Sequence, residues 1–232
     1  MMKYPEDSLQ SFCKSWWQED LSKEIKRGQL IKAYVPYVDQ IPNVLVPTGR
    51  KEATQHNTAT YSIGPLAIGK HSKRSNLPVA GVPVPIGEEL TVYRAKKRPM
   101  LVIGGGYTIP ENLRRGKPKY QTAPTILAAP FYGIAHSQDR AGYNPEFVDR
   151  VRRCEYRHYI WDNLPFGGGE ESLLRLDHMQ PIGDHHQTIE LAGFSLTDEA
   201  IVYLEEWLHW FLHKNMNQDS MLMQIRQELL NL

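Results

Sequence analysis

The sequence has little that would mark a secreted, membrane or metal-binding protein. Its only two cysteines, Cys13 and Cys154, lie far apart, so neither a disulfide framework nor a cysteine-based zinc site can be built from them. The N-terminal residues lack the apolar run of a signal peptide, and no stretch of about 20 apolar residues could span a bilayer. These features predict a cytoplasmic protein with no membrane association and with unreactive cysteines.

The sequence also lacks an overall charge bias. Its 27 lysines and arginines nearly balance 26 aspartates and glutamates, which excludes a polybasic coat protein and an acidic disordered tail. The charge is uneven locally, because residues 91–120 contain eight basic residues and a single acidic one, Glu111. The composition of this stretch alone favours a solvated surface. A footprint for a phosphate backbone is the alternative, supported by three interleaved tyrosines that could stack on bases.

Hydrophobic spacing predicts a series of helices and strands along the 232 residues. The N-terminal segment is predicted to be an amphipathic helix, and a capped helix followed by a short one is predicted near the C-terminus. The predicted elements are helices over 7–25, after Thr197 and from about Ser220, and strands over 29–35, 98–103, 125–130 and 172–177. Proline-rich residues 36–87 and residues 137–170 are predicted to be long insertions.

Two glycine runs and two histidine pairs could indicate a phosphate-binding loop or a metal site. Residues 104–106 and 167–169 are all glycine, but no Gly-Lys-Ser/Thr follows either run, so turns are predicted rather than phosphate-binding loops. His209 and His213 have the spacing of helical metal ligands, and His185 and His186 are adjacent. No third ligand is placed by the sequence, so we predict neither a metal nor a cofactor.

Five segments, in order, resemble the MazF/PemK family of toxin endoribonucleases (Kid/CcdB fold). They are similar to the family's Arg-Gly-Asp/Glu-Ile strand, its Arg-Pro-x-Leu-Val strand, the strand that follows, the Arg-x-Asp segment and the Gly-x-Leu turn into the closing helix. The matching residues are 27–31, 97–103, 125–129, 172–182 and 191–196, together 34 of the 232 residues.

The resemblance implies an α+β, mainly β fold, a small SH3-like barrel with N-terminal and C-terminal helices and long insertions. It divides the chain into a helical extension (1–26), a barrel (27–213) and a helical tail (214–232). Family members form homodimers, bind an antitoxin protein and cleave single-stranded RNA without metal, by attack of a ribose 2′-OH on the adjacent phosphate. The resemblance therefore implies the toxin of a type II toxin–antitoxin system, with single-stranded RNA and an antitoxin as partners.

The same chemistry identifies candidate catalytic residues. Arg98 would offer a guanidinium fork to the phosphate, although a plain surface arginine is the alternative. Arg175 and Asp177 are two residues apart on a predicted strand and would share one face. The resemblance implies that Asp177 is the base and Arg175 the acid or phosphate clamp; a structural ion pair is the alternative.

The sequence departs from the family after its middle strand. Typical members place a threonine or serine there to contact the phosphate, whereas this chain continues from Ala129 into Pro130. Tyr132 or His136 would have to take that role, and His136 could act as the general base. Further RNA contacts are predicted at Lys96, Lys97, Arg114, Arg115, Lys117 and Lys119. The missing hydroxyl leaves a second hypothesis open, a non-catalytic barrel that binds nucleic acid or a protein partner.

Overall fold

The protein is an α+β, mainly β structure with few helices. The computed structural model describes residues 4–69, 84–85, 87–105, 109–118, 122–136, 141–166, 169–185 and 187–232. The chain divides into two compact units, one formed by Met1–Tyr34 with Lys97–Leu232 and the other by Val35–Lys96. The predicted insertion at 36–87 falls within the smaller unit.

The larger unit is built on a curled, eight-stranded half-barrel sheet. Its strands are β1 (Trp17–Glu19), β2 (Gln29–Pro36), β6 (Ala95–Gly105), β7 (Thr125–Gly133), β8 (Tyr159–Asn163), β9 (Glu171–Arg175), β10 (Gln180–Gly183) and β11 (Glu190–Leu196). They are arranged in the order β1-β11-β2-β6-β7-β9-β8, and β10 pairs with β7. The smaller unit contains a three-stranded sheet of β3 (Asn43–Gly49), β4 (Thr60–Pro65) and β5 (Leu90–Val92), with β3 in the centre.

The described helices are α1 (Glu111–Arg114), α2 (Pro145–Arg152), α3 (Asp198–His213) and α4 (Met221–Leu230). Side-chain oxygens of Asn144, Thr197 and Ser220 accept hydrogen bonds from backbone N–H groups in the first turns of α2, α3 and α4. Two 3₁₀ helices span Leu9–Phe12 and Leu176–His178. None of the helices described is both long enough and apolar enough to cross a membrane.

The predicted strands and C-terminal helices are confirmed, with small changes at their ends. β6 continues into the first glycine run as far as Gly105, where φ is +120° and a Cβ would lie 2.7 Å from the Ile126 Cα. Glycine is therefore required there by a close approach of two strands. Gly106, Gly167, Gly168 and His186 lie outside the described residues.

The N-terminal helix predicted over residues 7–25 is wrong. This segment forms only the 3₁₀ helix Leu9–Phe12 and strand β1, and Leu21, counted in the predicted apolar face, is 89% exposed. β1 pairs antiparallel with β11, so the backbone of this segment is used in the sheet instead of in a helix. Long-range pairing has overridden the local periodicity.

Asp162 on β8 anchors this N-terminal segment. Its buried carboxylate accepts hydrogen bonds from the Trp16 Nε1–H (3.1 Å), the Trp17 Nε1–H (3.1 Å) and the Tyr4 hydroxyl (3.2 Å). Burial raises the pKa of Asp162 to about 7, although these three hydrogen bonds oppose the shift. The anchor thus depends on a carboxyl group that titrates close to neutral pH.

The stability of the protein is expected to fall as the pH rises because of Asp162. Its pKa is about 7 in the folded state against an ordinary value of 3.8, so the folded state binds the proton more tightly. Stabilisation from this group is complete below about pH 4 and is lost as the pH rises through 7. Between about pH 5 and pH 8 the free energy of unfolding should fall by roughly 2–3 kcal/mol. Urea denaturation of the wild type and of Asp162→Asn measures this effect, and equal slopes in the two proteins would contradict it.

Alternation along β7, β8 and β9 separates two apolar clusters on the two faces of the sheet. Phe131, Ile160 and Leu174 belong to the main core, together with buried side chains of α3 and α4. Trp161 and Leu173 instead pack with Val148 and Val151 of α2. The face that carries α2 also carries the candidate functional residues.

Candidate functional site

Arg98 and Tyr132 lie side by side on β6 and β7. Met100 pairs with Pro130, so continuing this antiparallel register by two residues puts Arg98 opposite Tyr132, with both side chains on one face. The Arg98 guanidinium carbon is 4.1 Å from the centre of the Tyr132 ring. This is a close cation–π contact, and it fixes the guanidinium group on the aromatic face.

Arg175 approaches the same ring from β9. Tyr132 pairs with Leu173, and Arg175 is two residues further along, which places it diagonally across from Tyr132 on the same face. Its guanidinium carbon lies 5.6 Å from the centre of the Tyr132 ring and 5.3 Å from that of Tyr159, its direct cross-strand partner. Two guanidinium groups from separate strands therefore lie against one tyrosine.

Asp177 holds Arg175 through two hydrogen bonds. The Arg175 Nε–H donates to Asp177 Oδ1 (3.1 Å) and the Nη2–H to Oδ2 (2.5 Å). The prediction that Asp177 lies on the strand with Arg175 is wrong, because β9 ends at Arg175 and Asp177 lies in the 3₁₀ helix Leu176–His178. Burial by itself would raise the pKa of Asp177, but the bonds from Arg175 outweigh it and leave the pKa below its usual value. Asp177 is therefore a weak proton acceptor at neutral pH.

His178 brings an imidazole to this group of residues. Its Nδ1 lies 2.8 Å from the Tyr132 hydroxyl oxygen, and its Nε2 lies 4.0 Å from Asp177 Oδ2. Sequence reasoning did not select His178, although it directly follows Asp177 in the segment that resembles the toxin family. Its position next to Asp177 in that motif was the feature of the sequence that could have identified it.

Tyr143 completes the group. Its backbone N–H donates to the Ile134 carbonyl (3.2 Å), which joins the approach to α2 to the end of β7. Burial raises the pKa of Tyr143, while the positive charges of Arg175 and Arg98 and a hydrogen bond with Arg175 oppose the rise. The hydroxyl is therefore un-ionised at neutral pH. We use the name arginine–tyrosine cluster for these seven residues: Arg98, Tyr132, Tyr143, Tyr159, Arg175, Asp177 and His178.

Of the predicted catalytic residues, the structure brings Arg98, Tyr132, Arg175 and Asp177 together and places His136 apart from them. His136 is exposed and lines a cavity beside α2. In the part of the chain that the structure describes, no hydrogen bond, ion pair or ring contact joins His136 to Arg98 or Arg175. Tyr143 of the cluster lines the same cavity.

Of the residues predicted to contact RNA, those that the structure describes lie at the start of β6 and around α1. Lys97 is paired with Glu190, and the alternation of β6 points its side chain away from the face that carries Arg98. Lys96 is exposed and belongs to the smaller unit. Three others, Arg114, Arg115 and Lys117, line a cavity of 930 Å³ beside α1. Lys119 lies outside the described residues.

The remaining titratable groups offer no rival site in the part of the chain that the structure describes. The His209 and His213 rings are 4.5 Å apart on α3, but no group of three histidine, cysteine or acidic side chains is gathered there or elsewhere in the described ranges. Burial raises the pKa of both cysteine thiols, Cys13 and Cys154, to about 12. Such thiols are protonated at neutral pH and are weak nucleophiles.

The comparisons with known proteins give this chain no relative. No protein-family model, no curated protein and no solved structure matches it.

Proposed function

We propose that the protein is a metal-independent endoribonuclease that cleaves single-stranded RNA at the arginine–tyrosine cluster. The proposal includes a SH3-like barrel of the MazF/PemK type, a homodimer and an antitoxin partner, as the sequence resemblance implies. One observation supports it above all: Arg98 and Arg175, from separate strands, lie against the ring of Tyr132. Guanidinium groups fixed in this way suit a phosphodiester, whose charge grows in the transition state.

In the proposed reaction, the ribose 2′-oxygen attacks phosphorus and the bond from phosphorus to the 5′-oxygen breaks. Arg98 and Arg175 stabilise the negative charge on the non-bridging oxygens. His178 takes the 2′-OH proton, directly or through the Tyr132 hydroxyl, which lies 2.8 Å from its Nδ1. The un-ionised Tyr143 hydroxyl supplies a proton to the leaving 5′-oxygen. The products are a 2′,3′-cyclic phosphate and a free 5′-OH.

Asp177 has a positioning role in this mechanism. The resemblance implies that it is the base, but its lowered pKa and its two bonds to Arg175 favour a different task, which is to fix the direction of the guanidinium fork. His178 is placed to accept the proton, because its Nδ1 lies 2.8 Å from the Tyr132 hydroxyl oxygen.

A second function is an RNA-binding barrel without catalytic activity. The closed ion pair between Arg175 and Asp177 favours it, since a salt bridge can be purely structural. The absence of a serine or threonine just after Ala129 favours it as well. This hypothesis predicts salt-dependent RNA binding with no cleavage.

Incubation of the purified protein with single-stranded RNA in excess EDTA distinguishes the two functions. We expect fragments with cyclic-phosphate ends, and we expect His178→Ala to lower the cleavage rate by about 10²–10⁴-fold because the proton acceptor is lost. His209→Ala, on the exposed face of α3, is the matched control and should cleave at the wild-type rate. RNA that binds but stays intact would support the non-catalytic function, and equal rates for His178→Ala and the control would remove His178 from the mechanism.

A further inference from the structure

A cavity of 720 Å³ opens beside the arginine–tyrosine cluster, between α2 and the ends of β7 and β9. This volume falls in the range of small-molecule sites. Its lining combines an apolar wall of Ile134, Pro145 and Val148 with polar side chains, which are His136, Tyr143, the ion-paired Asp149 and Arg152, Glu170 and Glu171. It therefore combines an apolar wall with an acidic edge.

The cavity and the cluster follow one another on a single face of the sheet. Ile134 directly follows β7, two residues after Tyr132, and on β9 the side chains of Glu171, Leu173 and Arg175 share this face. Two residues along a strand span about 6.5 Å. Tyr143 connects the two sites, because it lines the cavity and lies close enough to Arg175 for the guanidinium charge to act on its hydroxyl. A ligand group in the cavity would be a direct neighbour of a phosphate held at the arginines.

The acidic edge determines what kind of group fits. Arg152, the arginine in the lining, is paired with Asp7 and Asp149, so Glu170 and Glu171 would repel a phosphate. A flat, uncharged nucleobase would instead pack against the apolar wall. Asp149 also lines the cavity, but its carboxylate is engaged by Arg152 (2.5 Å). The Glu171 carboxylate has no ion pair or hydrogen bond with any of the described residues, and it can accept from an exocyclic amino group. Cytosine, adenine and guanine carry such a group, and uracil does not.

We propose that this cavity binds the nucleobase adjacent to the phosphate held by Arg98 and Arg175, and that Glu171 selects bases with an exocyclic amino group. The inference rests on the proposed function, because it takes RNA as the ligand of the cluster. It adds a residue that determines sequence preference. Glu171 acts by accepting a hydrogen bond from the base and takes no part in the cleavage step.

The test uses fluorescein-labelled 2′-O-methyl hexamers of C, A or U, which cannot be cleaved by 2′-OH attack, and measures their binding by fluorescence anisotropy. The wild type should bind the C and A hexamers roughly tenfold more tightly than the U hexamer, as expected for one hydrogen bond to a charged acceptor. Glu171→Gln should bring this ratio close to one, because an amide can both donate and accept. Glu228→Gln, on the exposed surface of α4, should keep the wild-type ratio.

The outcomes separate this inference from the proposed function. A wild-type ratio near one, or a ratio that Glu171→Gln leaves unchanged, overturns the base pocket even if binding depends on Arg98. The expected preference together with intact unmodified RNA supports the pocket and overturns the nuclease. Failure of all three hexamers to bind overturns both.

Discussion

Replacing Arg98 with alanine is expected to lower RNA cleavage by about 10²–10³-fold, the usual loss when one donor to a developing oxyanion is removed. Arg98 is half-buried on the Tyr132 ring and contributes one of the two guanidinium groups of the cluster. Its removal leaves the apolar clusters on both faces of the sheet intact, so the thermal unfolding midpoint should move little. The measurement is the single-turnover cleavage rate of single-stranded RNA in excess EDTA, with thermal unfolding in parallel.

Two variants control this experiment. Arg98→Lys keeps the positive charge but loses the planar fork, so it should recover only part of the activity. Lys97→Ala removes the neighbouring charge, whose side chain is paired with Glu190, and should cleave at close to the wild-type rate. An Arg98→Ala protein as active as the wild type would remove the cluster from the reaction.

Replacing Asp162 with alanine is expected to lower the free energy of unfolding by about 3–5 kcal/mol. The substitution leaves the two indole N–H groups of Trp16 and Trp17 and the Tyr4 hydroxyl without their shared acceptor in a buried site. It also removes part of the hydrogen bonding between the N-terminal segment and β8, and leaves the bond from the Gln10 side-chain amide to the Trp161 carbonyl in place. Urea denaturation at about pH 7 measures the loss.

Asp162→Asn is the matched variant for this prediction. Its amide oxygen can still accept hydrogen bonds and it buries no charge, so it should lose clearly less stability than Asp162→Ala. Equal stability of Asp162→Ala and the wild type would show that the carboxylate does not anchor Trp16 and Trp17.

The local sequence was sufficient to predict those strands and helices whose apolar residues and end signals lie within or next to the element itself. The strands at 29–36, 95–105 and 125–133 each contain a largely apolar stretch with glycine or proline at its ends. Helices α3 and α4 follow Thr197 and Ser220, which cap them. The prediction failed for the N-terminal segment because the conformation of that segment depends on residues far away in the sequence. Trp16 and Trp17 bond to Asp162, about 145 positions along the chain, and no local pattern reveals such a pairing.

The candidate site was predictable to the extent that it lies on paired strands. Motif order placed Arg98, Arg175 and Asp177 on neighbouring parts of a sheet, and the register of β6, β7 and β9 brings them together. Tyr143 and Tyr159 could not be found in this way. The position of Tyr143 near Arg175 depends on the connection through α2, and that of Tyr159 depends on the pairing of β8 with β9. The basic stretch was predicted as one footprint, but strand alternation separates Lys97 from Arg98.

The most direct test of 2′-OH attack is cleavage of an RNA that carries a single 2′-deoxynucleotide on the 5′ side of the scissile phosphate, in excess EDTA. We predict that this position resists cleavage completely while the same site in the all-ribose RNA is cut to a cyclic phosphate. Cutting of both RNAs at the same rate would contradict the mechanism proposed for the arginine–tyrosine cluster.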